Sequence, residues 1–304
     1  MKKLKKIDMH VHVIDDVEAA LLRTTGDTFC TPAQLLEIYD SIGVEHGVIL
    51  TAMSPEFADE RNTNREIYRI VKDDPAHFSW FCGIDPRFYT NSTETDFSAI
   101  LNHYKAFGAK GVAELTCNLY FDDPLLMNLF AHCEKCEMPV TIHIGALGND
   151  YGVVDELGLP RLEKVLKTFP KLQIIGHSQK FWSEISGDVT EEIRGGAPQG
   201  KVAPGGRVPE LLRKYKNLTA DLSAGSGFNA MLRDPEFAYR FLEEFQDQLY
   251  FATDICSPEN AKVHLRVGLS AFLDEAMAQG KISYAAYEKI SRGNALRLLG
   301  KTEM

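Results

Sequence analysis

His10 and His12 lie two residues apart in the apolar run KKIDMHVHV. On an extended strand, residues i and i+2 share a face, so both imidazoles point the same way. Four more polar groups sit late in similar runs: Glu114 in KGVAELTC, His143 in MPVTIHIG, His177 in LQIIGHSQ and Asp254 in LYFATDIC. Imidazole and carboxylate donors suit Zn²⁺, Mn²⁺ or Fe²⁺. A cation held by three or four of them, with one position open, lowers the pKa of a bound water to about 7. A nearby carboxylate can then take the proton. A single strand histidine is commonly an ordinary hydrogen-bonded residue. Six such groups at strand ends, in this order, call for a common explanation.

The elements that position these groups are eight short strand-like runs, at 5–13, 45–52, 78–85, 110–117, 138–145, 172–179, 218–225 and 249–256. They are rich in Val, Ile, Leu and Phe, as parallel strands covered by helices are. Between them lie amphipathic segments such as PAQLLEIYDSIG, NREIYRIVKDD and LPRLEKVLKTFP, with apolar residues three and four apart. Gly43, Gly108 and Pro170 supply stop signals. Eight strand–helix units in 304 residues predict one α/β domain over 1–304, a (β/α)8 TIM barrel. Barrel closure would bring the six groups to one rim, the C-terminal ends of the strands. A doubly wound open sheet competes, but it normally places a glycine-rich phosphate turn after its first strand, and none follows here.

The segment 180–207, after the sixth strand, contains RGGAPQGKVAPGGR, whose Gly and Pro content forbids a continuous helix. It is expected to be a lid or insertion over the rim. Lys180 and Trp182 are its expected substrate contacts, with Arg61 and Arg207 further rim-loop candidates. His46, His77, His103, His132 and His264 fall at strand starts, in loops or on helices and are read as structural or solvated. Cys133 and Cys136 form a lone C-x-x-C within a helix-like segment and are read as helix residues.

The net charge of −10 argues against a nucleic-acid partner. No apolar run is long enough for a membrane span. The start MKKLKK is basic like an export signal, but Asp8, His10 and His12 interrupt the apolar stretch that a signal needs. Six scattered cysteines fit a reducing compartment, so a cytoplasmic location is expected. The expected partner is a small-molecule substrate, with a homo-oligomer left open.

The pattern Asp8-Met9-His10-Val11-His12, His143, His177 and Thr253-Asp254, with the ending KISRGNALRLLG, resembles the amidohydrolase superfamily from residue 5 to about 300. The nearest branch is the amidohydrolase-related (amidohydrolase 2) group, which includes aminocarboxymuconate-semialdehyde decarboxylase, resorcylate decarboxylases and pyrone-dicarboxylate lactonases. The resemblance implies that His10, His12 and His143 bind a catalytic divalent metal, most simply Zn²⁺, with Asp254 as a further ligand and proton acceptor. His177 would orient the attacking water or substrate, or bind a second ion. Glu114 would bridge two ions, contact substrate, or accept a hydrogen bond from a ligand histidine. The expected activity is metal-dependent hydrolysis of an ester, lactone or amide bond in a small carboxylated substrate. The alternative is a non-oxidative decarboxylase (carboxy-lyase) of an aromatic or unsaturated acid. A two-metal phosphoester hydrolase depends on Glu114, and a non-catalytic barrel would require lost ligands.

Overall fold

In the computed structural model, which describes residues 3–18, 20, 22, 26–56, 62–148 and 150–303, eight parallel strands form a ring. They are β1 (Lys6–Val11), β2 (Val44–Leu50), β3 (Phe78–Phe81), β4 (Val112–Leu115), β5 (Val140–Gly145), β6 (Ile174–His177), β7 (Leu218–Asp221) and β8 (Leu249–Tyr250). Pairing runs β1-β2-β3 in one group and β4-β5-β6-β7-β8 in the other. Two seams join the groups. Cys82 N donates to Gly111 O at 2.9 Å, and Ala113 N to Cys82 O at 2.8 Å. Met9 N donates to Phe251 O at 3.1 Å, and Asp254 N to His10 O at 2.8 Å. The barrel is therefore closed. A two-residue strand, Val153–Val154, is added outside it on β5.

The covering helices arise where the amphipathic spacing places them. Pro32–Ile42 and Asn64–Asp73 each begin at a Thr in a reciprocal capping box, Thr31 with Gln34 and Thr63 with Glu66. The first ends on Gly43 at φ 72, a left-handed residue that stops the helix before β2. Apolar residues divide into two layers. Ile7, Met9, Val48, Leu50, Phe81, Ala113, Ile175, Tyr250 and Ala252 fill the barrel interior, closed from below by Ala295 and Leu299 of the last helix. A larger cluster packs strands against helices.

The first strand contains an irregularity that matters for the site. Ile7 and Met9 join the interior layer, and Asp8 accepts from Tyr39 of the first helix at 2.9 Å. The register with β2 shifts between Asp8 and Val11, so that His10, within the shift, and His12, just past it, both turn toward Glu114 and Asp254. A bulge re-aims side chains in this way. Asp8 also accepts from Thr253 N at 2.9 Å, which ties the bulge to the chain that presents Asp254.

Candidate metal centre

Six groups expected to share a rim are brought together. His10 Nε2 is 3.2 Å from His12 Nε2 and 3.8 Å from Glu114 Oε2, and His12 Nε2 is 3.5 Å from the same oxygen. Asp254 Oδ1 lies 3.8 Å from His10 Nε2 and 3.9 Å from His12 Nε2. The other oxygen of Glu114 faces the opposite way. Its Oε1 is 2.7 Å from His143 Nδ1 and 3.6 Å from His177 Nε2. Donor atoms around a tetrahedral ion at about 2.1 Å are separated by roughly 3.4 Å. The observed spacings fit one ion among His10, His12, Glu114 and Asp254. Glu114, His143 and His177 form a second close group.

The hydrogen bonds behind the rings give an independent test of the fit. His10 Nδ1 is 2.9 Å from Asp221 Oδ2, and His12 Nδ1 is 3.0 Å from Leu50 O. Both partners only accept, so Nδ1 carries the hydrogen and Nε2 of each ring is the atom left to hold a proton or a metal ion. Two such nitrogens 3.2 Å apart, both close to Glu114 Oε2, call for positive charge between them, a proton on a ring or a cation. His177 repeats the arrangement: Nδ1 is 3.0 Å from Asp221 Oδ1, and Nε2 faces Glu114. Backing hydrogen bonds of this kind fix the tautomer of metal-binding histidines.

The charges point the same way. Glu114, Asp221 and Asp254 bring three carboxylates into a space with little water. Burial alone would raise Glu114, but hydrogen bonds from His10, His12 and His143 hold it well below the usual carboxylate range. Burial likewise opposes ionisation of Asp221, and the His177 and His10 rings overcome it. Burial would lower His10, yet Asp221 and Glu114 push it well above its ordinary value. The pocket therefore demands positive charge, and these donors fit a divalent cation.

Asp221, at the end of β7, was not among the residues singled out in the sequence. It does not face the ion position itself. It orients two imidazoles that do, while Ser223 Oγ donates to its Oδ1 at 2.5 Å. Asp221→Asn offers one acceptor where two rings need one each. The variant is expected to bind Zn²⁺ about 10- to 100-fold more weakly, as read by competition with a chelator. Unchanged affinity would reject the orienting role.

Two rings flank the donors. Phe29 stacks on His12 at 5.4 Å, and Tyr151 lies 4.6 Å from the His143 ring. The second placement depends on glycine: a Cβ on Gly145 would stand 2.0 Å from Tyr151 O. Gly152, at φ 110, also passes too close to His143 for a side chain.

The rim-loop residues are placed differently from expectation. Trp182 is 1% exposed, and its indole donates to Asp221 O at 2.9 Å. It is therefore a support under β7 and offers no face to a substrate. Lys180 Nζ pairs with Glu191 at 3.1 Å, and Arg207 donates to Gly158 O and Glu163, both at 2.7 Å. Arg61 lies outside the described residues. The segment 180–207 folds as short helices, Gln179–Ser183 and Glu191–Arg194, packed on the 155–158 loop and on helix Ala224–Leu232. Two of its glycines allow close packing: a Cβ on Gly187 would sit 2.1 Å from Pro204 O, and one on Gly206 1.9 Å from Ile185 O.

The remaining histidines lie elsewhere. His46 bonds Ala76 O and Ser79, His77 bonds Asp74, and His132 bonds Ser98, while His103 and His264 contact Phe107 and Phe228. Cys133 and Cys136 are buried and free at the end of helix Pro124–Lys135. Among the described residues, no helix is long and apolar enough to cross a membrane.

Comparison with known proteins extends over the whole barrel. Residues 7–301 match the family model described as Amidohydrolase. No curated protein matches the chain. An uncharacterised TIM-barrel protein of Bordetella bronchiseptica is similar in structure, with a TM-score of 0.66 at 17% identity over 98% of this chain and 99% of that one. A probable 2-pyrone-4,6-dicarboxylic acid hydrolase of Acinetobacter baumannii, solved with citric acid bound, gives 0.59 at 15% identity, covering 98% and 100%. A dihydroxybenzoic acid decarboxylase of Polaromonas, solved with manganese and 2-nitroresorcinol, gives 0.56 at 14% identity, covering 99% and 98%. At these identities the likeness is one of fold.

Proposed function

The chain belongs to the amidohydrolase family, and from that premise we propose that it is a metal-dependent hydrolase of an ester, lactone or amide bond in a small carboxylated substrate. The observation that carries this reading is the convergence of His10 Nε2, His12 Nε2, Glu114 Oε2 and Asp254 Oδ1, all within 3.2–3.9 Å of a His10 or His12 nitrogen. These four residues would hold the ion, Zn²⁺ being the simplest fit to two imidazoles and two carboxylates and Mn²⁺ or Fe²⁺ the alternatives. When bound, such an ion acidifies water and polarises a carbonyl oxygen.

The chain's own groups do the rest. Burial would raise Asp254, but Arg266 and the surrounding histidines keep it below its ordinary value, so it is ionised at neutral pH. It enters the reaction as a base. Its Oδ1 accepts the proton of the attacking water and later returns it to the leaving group. His177, held by Asp221 and Ser223, presents Nε2 toward the reacting centre and orients the substrate carbonyl or the water. Glu114 spans two donor groups with its two oxygens, an arrangement that supports a bridging role when two ions are present.

A base ready at the start favours hydrolysis, since decarboxylation must deliver a proton to carbon. The carboxy-lyase reading draws support from the Tyr151 ring, which lies against His143 beside the donors and suits a planar unsaturated acid.

The test is a joint measurement on the metal-loaded protein: turnover of lactones, esters and amides that carry a carboxylate, with CO₂ release from aromatic acids followed in parallel. Hydrolysis without CO₂ release is the expected result, and CO₂ release alone would transfer the assignment to the lyase. The double variant His10→Ala/His12→Ala is expected to lose its bound metal and its turnover while keeping the barrel's circular dichroism. Retained metal and activity would dismiss the ligand set.

A further inference from the structure

We propose that Arg266 is a positioning residue that sets the carboxylate of Asp254 toward the ion position. The inference rests on the reading of Asp254 as a ligand. Asp254 has φ 52, in the left-handed region that a non-glycine residue occupies at a cost. Something must hold it there. Its N–H donates to His10 O at 2.8 Å, which fixes one side of the residue. The other side is taken by Arg266, whose Nη1 contacts both the carbonyl oxygen and Oδ2 of Asp254. One guanidinium nitrogen thus grips the backbone and the side chain of the same residue. With Oδ2 occupied, Oδ1 is left facing His10 and His12.

The local chain explains how a residue twelve positions later reaches back. Asn260 Oδ1 accepts from Cys256 N at 2.9 Å and from Ser257 N at 3.2 Å, folding the chain into the turn Pro258–Lys262. The short helix His264–Val267 follows, and Arg266 N is tied to Val263 O at 2.8 Å. Arg266 and Asp254 side chains are only 24% and 17% exposed, so water competes weakly for the contact.

Without the guanidinium, the carboxylate is free to rotate about its bond to Cβ. The left-handed backbone also loses a partner. Both changes weaken metal binding before any substrate is present. A lysine keeps the charge, but its ammonium sits on a shorter side chain than Nη1 of arginine, so it replaces the arginine only in part.

The experiment measures Zn²⁺ affinity by competition with a chromophoric chelator in Arg266→Met, Arg266→Lys, Asp254→Ala and the double variant Asp254→Ala/Arg266→Met. Arg266→Met is expected to bind Zn²⁺ at least about 10-fold more weakly than the parent protein, the usual scale for losing an outer partner of a ligand. Arg266→Lys should fall between them, and it carries the test if the methionine variant does not fold. In a further variant, Arg266→Ala, which leaves space at the site, added guanidinium should restore part of the lost Zn²⁺ affinity, and no rescue counts against the positioning role. In the Asp254→Ala background, Arg266→Met should change nothing further, because its target is gone. Equal losses in both backgrounds, or an unaltered affinity in Arg266→Met and Arg266→Lys, overturn the positioning role while leaving Asp254 as a ligand. Parental affinity in Asp254→Ala alone overturns the ligand reading, and the positioning role with it.

Discussion

Asp254→Asn is expected to keep the barrel intact and to lower kcat by at least about 10²-fold, the ordinary loss when a general acid–base group is removed. Asn has the same shape, so the backbone contact to His10 O at 2.8 Å is preserved. One side-chain oxygen also remains to face the His10 and His12 nitrogens, now 3.8 and 3.9 Å from Oδ1. What disappears is the negative charge and the capacity to take a proton. Arg266 loses its counter-charge in the same step, so some weakening of metal binding accompanies the loss. The measurement is kcat at saturating Zn²⁺ and substrate, with metal content determined on the same sample. A folded, metal-loaded Asn variant that turns over within a few-fold of the parent would remove Asp254 from the proton transfer.

That assignment began with a polar residue late in an apolar strand, and the same signal brought His10, His12, Glu114, His143 and His177 together. Position at a strand end is legible because strand closure alone decides which residues share the rim. Asp221 carries the identical signal in LTADLSAG, yet its work is to hold two other rings, and a role exercised through another side chain leaves no spacing to read. Arg266 lies in the turns after β8, where only the folded path shows that it returns to Asp254. The strand containing Asp254 is also shorter than its apolar run: pairing with β7 ends at Tyr250, only bonds to β1 continue, and the chain reaches φ 52 at Asp254 without a glycine to mark the change. Trp182 misled for a different reason. An aromatic residue in a glycine-rich connection resembles a substrate contact, but Gln179–Ser183 folds as a short helix that turns the indole inward. The bulge in β1 is likewise invisible in a run that alternates regularly, although it is what turns His10 and His12 toward Glu114 and Asp254.

The largest expected effect on stability comes from the segment 180–207, through Arg194. This arginine is 0% exposed. Its Nη2 lies 2.7 Å from Glu184 Oε1, and its Nη1 donates to Asp155 O at 2.7 Å. Glu184 in turn accepts from Gly158 N at 2.8 Å, and Asp155 accepts from Arg161 N and Leu162 N at the start of helix Pro160–Thr168. Arg194 therefore fastens the segment to the loop after β5. Arg194→Met keeps the volume and strands the buried Glu184 carboxyl group, a situation that costs about 3–5 kcal/mol. The loss should grow with pH. Burial pushes Glu184 up to about 7 and Asp155 up to about 6, and Arg194 works against both rises. A carboxyl group whose folded pKa is raised stabilises the fold at low pH, and that contribution fades as pH climbs through the folded value. Removing the arginine raises both groups further, so the variant should suffer more at pH 8 than at pH 5. Adding Glu184→Gln to Arg194→Met removes that stranded charge and should recover part of the stability, mostly at the higher pH. Denaturant unfolding of the three proteins at the two pH values measures this. A loss below about 1 kcal/mol, or one that shrinks as pH rises, would show that the segment is fastened by its apolar contacts and that the buried ion pair contributes little.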